Sequence, residues 1–117
     1  MNARRIEAVD RLQVVMYLAK THSHFPEREL RTCEAYAKAF DWGIDLIVVD
    51  DETTRAEPER RPMLRAALQR LQDRQAGAIL VPSKATISPI DGEFNDFAKR
   101  VEKASAFIQV ATAWRCA

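Results

Sequence analysis

The sequence predicts a three-layer α/β domain in which a mainly parallel central sheet of about four strands carries helices on both faces. Short apolar runs alternate along the chain with stretches whose apolar residues recur at helical spacing. Residues 46–81 read as strand, polar loop, helix and strand, which is one β-α-β unit and implies parallel strands with a right-handed crossover. With 117 residues, 47% of them apolar and 30% charged, the chain has the size and composition of one globular domain.

The central β-α-β unit supplies the most definite elements. Residues 46–49 form an unbroken apolar run, which predicts a strand buried on both faces. Pro62 is typical of the first turn of a helix, where its missing N–H is not needed. The apolar residues after it recur at i, i+3, i+4 and i+7, which predicts one buried stripe: Leu64, Ala67, Leu68 and Leu71. Gly77 marks the turn into an apolar strand over residues 78–81.

The other elements continue the alternation. Residues 12–17 predict the first strand, which Leu18 and Ala19 extend, and a helix over residues 26–40 follows and ends at Gly43. A further helix begins near Asp91, and residues 106–110 predict the last strand. The predicted stripes of these two helices are Leu30, Cys33, Ala37 and Phe40 in the first, and Ile90, Phe94, Phe97, Ala98 and Val101 in the second.

The expected organisation is one domain over residues 12–113, preceded by a leader or short helix at 1–11 and followed by a tail at 114–117 that holds Trp114. The net charge of +1 does not favour a globally basic nucleic-acid binder. No run has transmembrane length and none resembles a signal peptide, so we expect a cytoplasmic protein without a membrane partner. Cys33 and Cys116 do not indicate a structural disulfide, and the sequence predicts no cofactor.

Polar residues follow the predicted strands at the edge where open parallel sheets form their sites. Residues 21–24 follow the first strand, and the acids Asp50, Asp51 and Glu52 follow the second. A carboxylate cluster of this kind could hold Mg²⁺ for a small enzyme, with Thr21, His22 and Lys84 nearby if the strand ends converge. The favoured interpretation is a solvated loop whose acids pair with nearby arginines.

Arginines are dense around the central helix. Arg60, Arg61 and Arg65 are candidate contacts for DNA or for a protein partner. Acidic residues are interleaved with them, as on an ordinary solvated helix face. Any DNA binding is therefore expected to be weak.

The succession of elements resembles the catalytic domain of the serine recombinases, the resolvase and invertase family, over roughly residues 12–111. That family shows a strand, an acidic residue, a short loop, and then Arg-Pro and a leucine that open a helix. Residues 51–54 followed by residues 61–64 (RPML) are similar to this plan, and residues 35–38 followed by Trp42 look like the family's first helix. The resemblance implies a resolvase-like fold, and it supports the fold more than it supports an activity.

The positions that carry recombinase chemistry differ from the family pattern. The family's first strand ends in Tyr-x-Arg-x-Ser, whose serine attacks the DNA phosphodiester. Tyr17 matches the tyrosine, but Ala19 stands at the arginine and Thr21 at the serine. Glu29 stands where a glutamine is common in the family.

The second catalytic block of the family, Asp-Arg-Leu-x-Arg, also differs. Ala85 replaces the aspartate, Thr86 the first arginine, Ile87 the leucine and Pro89 the second arginine. The sequence shows no counterpart of the long helix that forms the recombinase dimer, so a family-type dimer is not expected.

These comparisons predict a catalytically inactive serine-recombinase-like domain that is not an enzyme. It would act as an interaction or regulatory module, with itself or with another protein, in a DNA-transaction or mobile-element setting. The alternatives left open are a small Mg-dependent or other enzyme that uses Asp50, Asp51 and Glu52, and a weak DNA-binding module.

Overall fold

A computed structural model of the protein describes residues 11–21, 24–51 and 57–111. Residues 1–10 of the predicted leader, and His22, Ser23, Glu52, Trp114 and Cys116, lie outside the described residues. The elements are, in chain order, β1 (Gln13–Ala19), α1 (Glu27–Ala39), β2 (Gly43–Asp50), α2 (Pro62–Gln72), β3 (Ala78–Val81), α3 (Asp91–Lys103) and β4 (Phe107–Val110). Single 3-10 turns at Pro58–Arg60 and Lys84–Thr86 precede α2 and α3.

The predicted fold class is confirmed. The four strands form one sheet in the order β2-β1-β3-β4, and every neighbouring pair is parallel. Helix α1 covers one face through Cys33, Tyr36 and Ala37, whereas α2 and α3 cover the other face. No helix within the described ranges is long and apolar enough to cross a membrane.

Two apolar clusters hold the three layers together because alternate residues of β1 point to opposite faces. Val15 and Tyr17 pack with α2 and α3, and Val14, Met16 and Leu18 pack with α1. The four residues predicted for the stripe of α2 are all buried, so the periodicity of this helix is confirmed. β1 lies between β2 and β3 with helices on both faces, and this central position accounts for its burial.

The prediction that residues 46–49 form a strand buried on both faces is wrong. β2 lies at an edge of the sheet and pairs with β1 alone among the described strands. Val48 is buried, but Leu46 is 37% exposed and Ile47 is 43% exposed. The chain crosses from β1 to one side for β2 and then returns past β1 for β3, so the longest apolar run occupies an outer position.

Two members of the predicted helix stripes are also exposed. Phe40 is 50% exposed and lies just beyond the end of α1, where its ring stacks on that of Trp42 at a centroid distance of 5.4 Å. Ile90 is 56% exposed and lies just before α3. Both residues flank a helix rather than belong to it, so helical periodicity does not determine which way they face.

All three helices end in the same way, and no glycine is involved. Asp41, Arg74 and Ser105 follow α1, α2 and α3 with φ values of 59°, 64° and 62°. After each of them the next N–H donates to a carbonyl five residues back, as Trp42 does to Ala37 at 2.8 Å. This is the Schellman arrangement, in which a left-handed residue closes the helix. The prediction that Gly43 ends α1 is therefore wrong, since Gly43 is the first residue of β2.

Candidate site at the carboxyl edge of the sheet

The carboxyl edge of the sheet brings together the residues that follow β1 and β2. Ala19 lies directly beside Asp50 in the strand register, and the N–H of Lys20 donates to the carbonyl of Asp50 at 2.8 Å. Thr21 follows and forms an isolated two-way bridge with His24, at 3.2 Å and 2.9 Å. The sequence prediction that these segments meet at one edge is therefore confirmed by the geometry of the parallel sheet.

A chain of buried polar contacts lies beneath this edge. The hydroxyl of Tyr17 donates to Oδ2 of Asp50 at 2.6 Å, and Nη1 of Arg61 donates to the same hydroxyl at 3.4 Å. Burial, followed by the bond to Asp50, raises the pKa of Tyr17 above its ordinary value. The phenol therefore stays neutral at physiological pH and bridges a carboxylate to a guanidinium.

The side chain of Arg61 is buried and hydrogen-bonded to groups within the fold. Its side chain is only 3% exposed, and its guanidinium donates to the carbonyl of Thr86 at 3.2 Å and to the carbonyl of Ile87. The prediction that Arg61 contacts DNA or a partner is contradicted here, because its donors face backbone carbonyls of the turn after β3. Arg60 and Arg65 are exposed, and Arg60 lies 4.0 Å from Glu57; their role as DNA or partner contacts stays a prediction.

Two lysines reach the same edge, and each has an acidic neighbour. Nζ of Lys20 lies 3.3 Å from Oδ1 of Asp51. Nζ of Lys84 lies 3.3 Å from Oδ1 of Asp91 and 5.0 Å from the centre of the Phe94 ring. Both pairs are exposed, so they are weak, but they place a carboxylate next to each cation.

The acids after β2 do not converge within the described part of the chain. Oδ2 of Asp50 accepts from Tyr17 and Oδ1 accepts from the N–H of Asp51 at 2.8 Å, while Asp51 faces Lys20. The described residues contain no group of three His, Cys, Asp or Glu side chains that could hold a metal ion. Glu52, the third acid of the predicted magnesium alternative, lies outside the described residues, so that alternative stays a prediction.

Comparison with solved structures identifies similar folds. The chain aligns with the C-terminal catalytic domain of ISC1926 TnpA, described as an IS607-like serine recombinase, with a TM-score of 0.71 and 17% identity over 85% of this chain and 69% of that one. It aligns with the N-terminal catalytic domain of TP901-1 integrase with a TM-score of 0.75 and 16% identity, over 86% of this chain and 78% of that one. The fold is similar to that of serine recombinase catalytic domains. No protein-family model matches the sequence, and no curated protein matches it.

The positions that the serine recombinase resemblance assigns to chemistry lie on different parts of this edge. Ala19 ends β1, and Thr21 is exposed just after it. Glu29 is exposed in the first turn of α1. Thr86 is half-buried, with its hydroxyl 3.2 Å from that of Ser83. Ala85 and Pro89 are exposed.

The structure adds two buried polar residues that the sequence analysis did not identify as internal. Arg61 caps α2 in an extended conformation and does not belong to the helix, so its spacing from Leu64 and Leu68 does not predict its burial; the carbonyls of Thr86 and Ile87 hold it inside. Ser88 is 2% exposed; its hydroxyl donates to Oε1 of Glu93 at 2.8 Å and accepts from the N–H of Ile90 at 3.0 Å. Ser88 thereby fixes the entry into α3, with an acid five residues further on as its partner.

Proposed function

We propose that this domain is a non-catalytic relative of the serine recombinase catalytic domains and acts as an interaction or regulatory module. The observation that carries the proposal is the engagement of the cations at the carboxyl edge. Arg61 is buried and donates to main-chain carbonyls, whereas Lys20 and Lys84 each lie beside a carboxylate. The DNA-transaction setting is proposed on the similarity of fold alone.

Cleavage of a DNA strand requires more than a hydroxyl group. The nucleophile must be activated, and cationic donors must meet the charge that grows on the phosphoryl oxygens. Arginine suits this role because its planar guanidinium stays charged and donates two bonds at once. Ala19, Thr86 and Pro89 occupy the positions that the resemblance assigns to arginines, and their side chains offer at most one neutral hydroxyl.

The loss of one preorganised donor costs roughly 10²–10³ in rate in a well-studied hydrolase. Several such losses need not multiply, because residues that act as a unit are not additive. One or two factors of this size are enough to suppress useful turnover. Thr21 retains a hydroxyl at the expected place, so the proposal depends on the cations and not on the nucleophile.

The interaction role is supported by apolar side chains on the surface. Eight large apolar residues of the described chain are exposed by more than a third: Phe25, Phe40, Ile44, Leu46, Ile47, Met63, Ile90 and Phe107. Three of them lie on β2, at an edge of the sheet, where Leu46 and Ile47 point to opposite faces. An exposed apolar edge strand is a place where another chain can associate.

The direct test is to incubate the full chain with supercoiled plasmid, denature the mixture, and look for nicked plasmid and for protein attached covalently to DNA. We expect neither product. A covalent adduct that is lost in Thr21→Ala but retained in Thr32→Ala would contradict the proposal. Thr32 is a matched control because it lies within α1, where its hydroxyl donates to the carbonyl of Arg28 at 3.1 Å.

A further inference from the structure

β2 is an edge strand of unusual length and character. It has eight residues, whereas β4, at the opposite edge of the sheet, has four. Its sequence GIDLIVVD contains neither proline nor lysine. Leu46 and Ile47 are adjacent, so they point to opposite faces of the sheet, and both are exposed by more than a third. Natural edge strands are usually short, charged, interrupted by proline, or protected by a bulge or an inward-pointing charge, because an open edge can pair with another chain.

β2 has one such protective feature, a bulge at Asp45, and the strand is regular from Leu46 to Asp50. Asp45 is the extra residue of a bulge opposite Val14 and Val15, and both its oxygens accept from Arg70 of α2, at 2.8 Å and 2.9 Å. Asp50 is engaged by the hydroxyl of Tyr17. The carboxylates are therefore directed to partners inside the domain, and the side chains left at the outer edge are apolar.

The backbone of β2 also presents hydrogen-bonding groups outward. The carbonyl of Asp50 accepts from Lys20, so it points toward β1. In a parallel pair, alternate residues direct their N–H and C=O groups to the same neighbour. Val48 therefore faces β1 like Asp50, and the N–H and C=O groups of Ile47 and Val49 point away from the sheet.

We propose that a second copy of this chain pairs with β2 in antiparallel orientation, around a two-fold axis that passes next to Ile47. The outward N–H and C=O of Ile47 then bond those of the partner's Ile47, and Leu46 lies opposite the partner's Val48. The two four-stranded sheets become one continuous sheet of eight strands. This proposal names the partner for the interaction role proposed above and to that extent rests on it.

The arrangement of charge selects this register. With the axis at Ile47, the pairs next to the axis contain only Leu46, Ile47 and Val48, and Asp45 and Asp50 lie outside them, each bound within its own copy to Arg70 or Tyr17. Moving the axis to Leu46 would set Ile47 against the partner's Asp45, and moving it to Val48 would set Leu46 against the partner's Asp50. Apolar residues paired directly across strands are favourable, whereas a carboxylate set against an apolar side chain is not. Only the Ile47 register puts apolar residues opposite one another at all of positions 46–48.

A second copy fits this edge because the pairing is self-complementary: each contact made by one protomer is repeated by the other. The contact is small, since a strand of eight residues is roughly 27 Å long at about 3.4 Å per residue. It falls below the standard size of a stable interface, so we expect a reversible dimer with a dissociation constant on the order of micromolar.

Sedimentation equilibrium of the full chain across a concentration series tests the association. The expected result is a monomer–dimer equilibrium that Ile47→Lys weakens by at least about tenfold, because two lysines then face each other across the axis. Ile90→Lys makes the same substitution at an exposed isoleucine before α3 and should leave the equilibrium unchanged. A chain that is monomeric at every concentration, or a dimer that both variants affect equally, would overturn the proposal.

Disulfide trapping tests the register. In a Cys116→Ser background, Ile47→Cys places two thiols on a directly opposed pair, whose Cα atoms are expected about 5.5 Å apart and within disulfide reach. Ile44→Cys, on the same strand, places its two thiols six residues apart along the pair, roughly 20 Å. We expect mild oxidation to give a covalent dimer with Ile47→Cys and none with Ile44→Cys. Equal cross-linking of the two variants, or cross-linking of Ile44→Cys alone, would refute this register.

The two proposals fail in different experiments. A monomeric chain that leaves plasmid DNA intact would overturn the β2 pairing and leave the non-catalytic assignment standing. A β2-paired dimer that forms a Thr21-dependent adduct would do the reverse. A peptide or another protein captured by the β2 edge of a monomeric chain would also overturn the second-copy assignment.

Discussion

Replacing Arg61 by methionine tests whether its buried guanidinium holds the turn after β3 onto the sheet. Methionine fills a similar space but donates no hydrogen bond. The carbonyl of Ile87 is buried, and leaving it without a donor costs about 1–3 kcal/mol. The carbonyl of Thr86 is partly buried and loses a bond that contributes about 0.5–1.5 kcal/mol. The removal of a buried cation returns some desolvation energy. We therefore expect a net loss of roughly 2–3 kcal/mol.

Urea denaturation followed by circular dichroism measures this loss. With a denaturant slope typical of a small domain, the midpoint should fall by about 1–2 M while the slope itself stays unchanged. Arg65→Met is the matched control, because Arg65 is exposed one helical turn further along α2, and its replacement should change stability by less than about 0.5 kcal/mol. If Arg61→Met costs no more than Arg65→Met, the contacts of Arg61 do not stabilise the fold and the reasoning fails.

Two further predictions concern buried ionisable groups. The pKa of Tyr17 is raised, so its contribution to stability is complete below about pH 10, the ordinary tyrosine value, and is lost as the pH rises toward the folded-state pKa; the urea midpoint should therefore fall more steeply above that pH in the wild type than in Tyr17→Phe, and parallel curves would contradict this. Burial, with the carboxylates of Glu29 and Glu34 adding to it, raises the pKa of the Cys33 thiol to about 12. In Cys116→Ser, a disulfide reagent at neutral pH should modify Cys33 slowly in the native protein and rapidly in urea, and equal rates would show that the thiol is accessible.

The alternation of apolar runs and helical stripes was sufficient to predict the fold class, because a β-α-β unit has few stable arrangements. Leu64, Ala67, Leu68 and Leu71 are all buried as their spacing predicts. The order of the strands could not be read in the same way. An apolar run predicts a strand, but the place of that strand in the sheet depends on the direction of each crossover. The apolar run of β2 therefore did not show that this strand lies at an edge.

The sequence predicted which segments meet at the candidate site, but not which side chains are buried there. The meeting of the segments after β1 and β2 follows from the parallel sheet, and the register confirms it. Arg61 precedes α2 in an extended conformation, and its burial depends on the carbonyls that the turn after β3 presents. Arginine is usually exposed, so residue type alone predicts that Arg61 lies on the surface. In the structure its side chain is directed into the fold.

The residues that end the three helices are positions where substitution by glycine would stabilise the folded domain. Asp41, Arg74 and Ser105 each hold a left-handed conformation that costs a residue with a side chain roughly 1–2 kcal/mol and costs glycine almost nothing. All three are exposed, and each lies between a helix and the amino end of a strand, at the opposite edge of the sheet from the candidate site. Glycine substitutions at these turns can therefore offset destabilising substitutions at the carboxyl edge or along β2. They would do so without changing either surface.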